Sequence, residues 1–157
     1  MPIVKEYYDS GALKAKGIKK NGLKEGKWVF YFENGKLYRE IHFCNDVENG
    51  EWKMWHEKGK LYLEQMKING ESEGYWKEYY EDGSIKEIGE YKNGEYFPLD
   101  FWDEGGCQLL KNGTGKKFEK LGYLELDIYE QYYEDGKFIK ENKISSAQYG
   151  GFGAVSK

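Results

Sequence analysis

The stretch GKWVFYFENGKLYRE, Gly26 to Glu40, crowds Trp28, Phe30, Tyr31 and Phe32 together and then turns at Asn34-Gly35. Alone, it reads as one ring-rich strand leading into a hairpin. It is not alone. At a step of 24 residues GEWKMWHEKGKLYLE follows from Gly50 to Glu64, and GYWKEYYEDGSIKEI from Gly74 to Ile88. The copies align without gaps: Gly26, Gly50, Gly74; Trp28, Trp52, Trp76; Tyr31, Trp55, Tyr79; Gly35, Gly59, Gly83; Leu37, Leu61, Ile85. A second turn signal keeps the same step at Asn21-Gly22, Asn45-Asp46, Asn69-Gly70 and Asn93-Gly94. A fixed period of this length marks a repeat array and governs every later reading.

Each unit holds two turn signals, and the segments between them are too short for helices with loops. They are rich in Trp, Tyr, Phe and β-branched residues, as strands are. Asn-Gly supplies the two positive φ values that a tight hairpin turn needs. The sequence therefore predicts an all-β fold: an elongated antiparallel meander of tandem β-hairpins with a period of 24. A hairpin alone is marginal in water, so each unit must be stabilised by its neighbours. Rings recurring at one depth are expected to form ladders, Trp28, Trp52 and Trp76 in one and Tyr31, Trp55 and Tyr79 in another. The two positions are three apart and fall on opposite faces of an ideal strand. Either the sheet is a single layer with two half-wet faces, or it curls and covers one.

The register has two solutions. A two-residue loop at Asn34-Gly35 pairs Phe32 with Leu37, and a three-residue loop pairs Tyr31 with Leu37. The second is preferred, since it sets the recurring ring beside the recurring aliphatic residue. One array is expected over residues 1–141, regular from 5 to 95 and degenerate from 96 to 141. In the degenerate part FPLDFWDEGGCQLLKNGTG keeps a ring pair and a turn, placed at Gly105, and YEQYYEDGKFIKE repeats the motif with Gly136 in its turn. Residues 142–157 read as a Gly/Ser-rich tail.

Composition fits an ordered chain without a deep aliphatic interior: hydrophobic residues make up 39%, but rings alone account for 18%. Tyr and Trp bury a face while keeping a polar edge wet. The net charge of −4 gives no general attraction to nucleic acid. The first 26 residues hold six lysines against three acids, so the charge is uneven. Exposed lysines there suit an edge strand. Cys44 and Cys107 are too few for a disulfide framework, and no apolar run approaches membrane-spanning length. MPIVKEYYDSG lacks a signal-peptide core, so a cytoplasmic location is expected.

Catalytic signals are thin. His42 and His56 are the only histidines, and His56 takes the slot of Phe32 and Tyr80, as a ring would. No His-x-x-x-His or Cys-x-x-Cys spacing supports zinc. GTGKK at Gly113 lacks the spacing of a phosphate loop and reads as a turn. Acids beside the turns do not single out a general acid–base pair. The expectation is no catalytic residue, no cofactor and no metal site.

The unit GYWKEYYEDGSIKEIGEYKNGE resembles the MORN repeat, in the variant of the bacterial YwqK-type antitoxin and immunity family, and FWDEGGCQLLKNGTGK resembles a stretch between such repeats. The likeness covers residues 5–141. It implies a protein-binding role, with a cognate toxin as partner. An acidic body would suit a basic enzyme such as a nuclease. Tyr and Trp are enriched in binding hot spots, which nominates Tyr31, Trp55, Tyr79 and Trp102 for contact, with Glu57, Glu81 and Asp82 as charged neighbours. Phe30, Met54 and Glu78, two residues after each Trp, vary where many family members are uniform. The alternative is a scaffold or adaptor contacting proteins or anionic membrane lipid, with Lys14, Lys16, Lys19 and Lys20 as its local support.

Overall fold

The computed structural model describes residues 2–121 and 127–144. These residues form β1 (Ile3–Tyr7), β2 (Leu13–Lys20), β3 (Leu23–Tyr31), β4 (Leu37–Cys44), β5 (Val47–Trp55), β6 (Leu61–Ile68) and β7 (Glu71–Tyr79). The chain continues through β8 (Ile85–Lys92), β9 (Glu95–Trp102), β10 (Gln108–Lys111), β11 (Thr114–Leu121), β12 (Asp127–Glu134) and β13 (Lys137–Ile144). All thirteen join one antiparallel sheet in sequence order. The meander read from the period is the observed fold, and no helix among the described residues is long and apolar enough to cross a membrane. β13 runs three residues past the expected end of the array at 141. The tail expected beyond it lies, from residue 145, outside the described residues.

Two turn types alternate. At one edge Asn21-Gly22, Asn69-Gly70 and Asn93-Gly94 make two-residue turns with both φ positive, and Asn45-Asp46 does so at 51° and 68°. Asn112-Gly113, at the start of the GTGKK segment, is such a turn, joining β10 to β11. At the other edge the loops hold three residues. The Phe32 N–H donates to the Lys36 carbonyl at 2.8 Å, the Gly35 N–H donates to the Phe32 carbonyl at 2.9 Å, and only Gly35 has positive φ. Tyr31 therefore pairs with Leu37, Trp55 with Leu61 and Tyr79 with Ile85, the preferred register.

The next turn corrects the sequence reading. The Gly106 N–H donates to the Asp103 carbonyl, and Gly106, not Gly105, carries the positive φ of 80°. It lies 23 residues after Gly83, one short of the period. The lost residue comes from a bulge. Between β4 and β5 the register slips by two residues, from Phe43 opposite Glu48 to Ile41 opposite Trp52. Between β8 and β9 it slips by one, from Gly89 opposite Pro98 to Ile88 opposite Asp100. The first repeat glycine sits in the longer bulge: Gly26, Gly50 and Gly74 have φ of 65°, 123° and 72°, where a Cβ is strained.

The tryptophan ladder exists but is interleaved. Trp28, Ile41, Trp52, Gln65, Trp76 and Gly89 pair in succession across the sheet. Neighbouring strands lie roughly 4.8 Å apart, so tryptophans two strands apart are about 10 Å from each other and do not stack. Their contacts are instead with the residues between them. Trp28, Trp52, Ile41, Phe43 and Ala15 form one buried cluster, and the Trp28 indole N–H donates to the Ile18 carbonyl at 3.0 Å. The expectation of rings stacked rung on rung gives way to rings that alternate with aliphatic, amide and glycine rungs.

The C-terminal half curls. β10 has only four residues, and beyond it Lys117 on β11 bonds Glu87 on β8 at 2.9 Å. Those strands would stand about 14 Å apart in a flat sheet, too far for the two side chains to bridge along its surface. A second buried cluster, Phe101, Leu110, Phe118 and Ile128, supports the bend. Of the two shapes left open by the sequence, one layer holds through the regular repeats and the curl covers part of one face at the end.

Candidate binding face

Directly paired residues of an antiparallel sheet share a face. On one face the register aligns Val29, Glu40, Lys53, Glu64 and Lys77. Tyr31, Trp55 and Tyr79 end their strands two residues beyond Val29, Lys53 and Lys77, and so join this face. Trp102 ends β9 two residues beyond Asp100, which continues the same row. The four nominated rings thus stand in one line beside the three-residue turns, all half-buried. Lys16 covers the Tyr31 ring at 5.5 Å. The Tyr79 hydroxyl donates to Glu64 at 2.6 Å. Burial, with this bond to a carboxylate, pushes the Tyr79 phenol up to about 12.

The nominated acids stand at the turn edge next to these rings, but each has a partner in the chain. Glu57 accepts from the Asn34 side chain at 3.0 Å. Glu81 pairs with Lys58, which holds its carboxyl below the usual range. Asp82 accepts from the Ser84 hydroxyl and backbone N–H, which lowers it likewise. The first two contacts link neighbouring turns, and the third closes its own turn. His56 packs on Tyr62 at 4.8 Å, as Phe32 packs on Tyr38 at 4.6 Å, so it fills a ring position. Of the four lysines near the start, Lys14 and Lys16 lie over Tyr8 and Tyr31, and Lys19 reaches Glu6 and Trp28.

The opposite face carries what the sequence did not nominate. Ala15, Phe30, Arg39, Met54, Leu63, Glu78, Glu87, Phe101 and Leu110 pair in unbroken succession. Phe30, Met54 and Glu78, the variable positions after each Trp, all fall in this row. Its C-terminal part is ionic. Glu78 accepts from Lys86 at 2.8 Å, and Glu87 accepts from Lys117 at 2.9 Å and from the Tyr96 hydroxyl at 2.8 Å. Burial disfavours the Lys117 charge, but the attraction and hydrogen bond of Glu87 outweigh it and raise the ammonium above the ordinary lysine value. Burial and Glu87 likewise raise the Tyr96 phenol. A cleft of about 270 Å³ opens beside these ions, with Tyr62, Glu78, Lys86, Phe118 and Glu119 among its walls. Both carboxylates of the row are matched by lysines. Only the variability of the three positions after Trp could have pointed to this face.

Three segments, residues 24–45, 48–66 and 72–93, match the family model described as MORN repeat variant. They fall on the hairpins β3–β4, β5–β6 and β7–β8, the regular part of the sheet. Such repeats suggest a protein- or lipid-binding scaffold. No match was found among curated proteins.

Proposed function

We propose that the chain is a protein-binding repeat module that neutralises a toxic enzyme by direct contact. One observation carries the reading: Tyr31, Trp55, Tyr79 and Trp102 stand in a single row on one face, at the same end of four successive hairpins. The hydrogen-bonded sheet beneath holds them, so little conformational entropy is lost when a partner covers them. Flat amphipathic rings on a rigid support are the chemistry of binding hot spots. The turn acids Glu57, Glu81 and Asp82 border the row, and the net charge of −4 favours encounter with a basic enzyme. The toxin, as a class of partner, comes from the family likeness.

Co-expression tests this. The chain should rescue growth of cells that express a toxic reading frame taken from beside its gene, and should co-purify with that product. Growth arrest unrelieved by the chain, with no co-purification, would refute it.

A further inference from the structure

We infer that Arg39 is the anchor for a carboxylate of a protein partner, on the face opposite the ring row. Arg39 is the only arginine among the 24 Lys and Arg residues of the chain. Its guanidinium lies 4.5 Å from the Tyr38 ring centre and 5.4 Å from that of Phe30. With Nε buried, the terminal Nη groups are left to bind, and their paired N–H bonds fit a carboxylate in a two-pronged contact. The Nε atom is buried with no hydrogen-bond partner, and among the described residues no acid forms an ion pair with Arg39.

Glu78 has Lys86, and Glu87 has Lys117 and Tyr96. Arg39 is the charged member of the row left without a counterion. Its paired neighbours are Phe30 on one side and Met54 on the other, with Leu63 next. All three are half-buried and pack against the Trp28 cluster, so they border Arg39 with apolar surface. The complementary occupant is a segment that presents one Glu or Asp between apolar side chains. This deepens the protein-binding reading and rests on it, but not on which enzyme is bound.

A single arginine gives a single Nε–H resonance, so nitrogen-15 NMR reads this site without mutation. The probe is the peptide acetyl-Leu-Ser-Glu-Ser-Leu-amide, its Gln counterpart and inorganic phosphate. The Glu peptide should move the Arg39 Nε–H signal saturably and the Gln peptide should not. Arg39→Lys should weaken binding about tenfold, because a point charge replaces the two-pronged fork. No movement with the Glu peptide, equal movement with both peptides, or movement with phosphate alone would overturn the inference. The outcome is separable from the growth test: rescue with a silent Arg39 signal upholds the toxin reading and removes this anchor. A responsive Arg39 without rescue does the reverse.

Discussion

The indole of Trp28 lies flat on the backbone of Gly17, so closely that a methyl group on Gly17 would stand 2.3 Å from the ring. The same strand position is Ile41 in the next unit and Gln65 in the one after, each opposite the tryptophan of its own hairpin. Near the sheet's start the ring must close over a rung with no side chain. Gly89 repeats the device further on, covered by Tyr96 at the same 2.3 Å.

Gly17→Ala should therefore displace the Trp28 ring. The displacement is costly, because the indole is buried and hydrogen-bonded to the Ile18 carbonyl. Overpacking of this kind costs about 1–3 kcal/mol. The expected result is a lower urea midpoint with a red-shifted tryptophan emission. Gly22→Ala in the exposed turn meets nothing within 4 Å but has φ of 85°, so it should lower the midpoint through backbone strain without moving the emission. Unchanged emission in Gly17→Ala would show that the ring does not depend on the glycine.

The pair Lys117–Glu87 ties β11 to β8, with side chains only 8% and 5% exposed. Removing one partner leaves an uncompensated charge in the curl, at a cost of about 3–5 kcal/mol. Lys117→Met and Glu87→Gln should each destabilise strongly. The double variant should recover much of that loss, because no buried charge is left unmatched; Glu119, which loses Lys117 at 3.6 Å, is only half-buried. A double-mutant cycle in urea measures the coupling. Strict additivity would mean that the two side chains do not meet in solution.

Alkali should weaken the fold before mild acid does. Tyr79 rises from 10.0 to about 12, and Tyr62, Tyr96 and Tyr133 also rise, each chiefly through burial. A group whose proton is held more tightly in the fold gives its full contribution below the unfolded pKa and loses it as the pH climbs through the folded one. For Tyr79 that window runs from pH 10 to about 12. Glu130 acts in the opposite sense. Its hydrogen bond from Lys116 lowers it from 4.5, so its contribution is present above that value and is lost below it. Thermal melts should hold steady between these limits and fall above pH 10. A melting temperature that stays unchanged from pH 10 to about 12 would contradict the burial assigned to Tyr79.

The repeats were legible because their physics is local. A turn with two positive φ values needs Asn-Gly or its like within two residues, and the strand between two such turns is fixed by what remains. The match of Tyr31 with Leu37 followed from a loop of three residues. The curl was not legible. Lys117 and Glu87 are 30 positions apart, outside the period, and nothing in their own segments marks them as partners. Gly106 was missed in favour of Gly105 because a bulge one residue shorter had shifted the frame upstream. The ring row of the candidate site could be read from spacing alone. Arg39 could not, since its distinction is the absence of a counterion, which only the packed sheet reveals.

Two tryptophans three residues apart in the repeat frame, Trp28 and Trp55 one unit on, should separate support from contact. Trp28 is fully buried and hydrogen-bonded, so Trp28→Ala should cost about 3–5 kcal/mol and impair folding. Trp55 is half-buried at a strand end, on the face away from the main cluster. Trp55→Ala should keep the native circular dichroism and a cooperative melt, yet lose capture of the neighbouring gene product. Tyr79→Phe is a finer probe, since it deletes only the hydroxyl that donates to Glu64. It should leave capture within about threefold if the ring face makes the contact. A Trp55→Ala chain that melts far lower and still captures the product would assign that ring to the sheet alone, and the row beside the turns would no longer describe the contact surface.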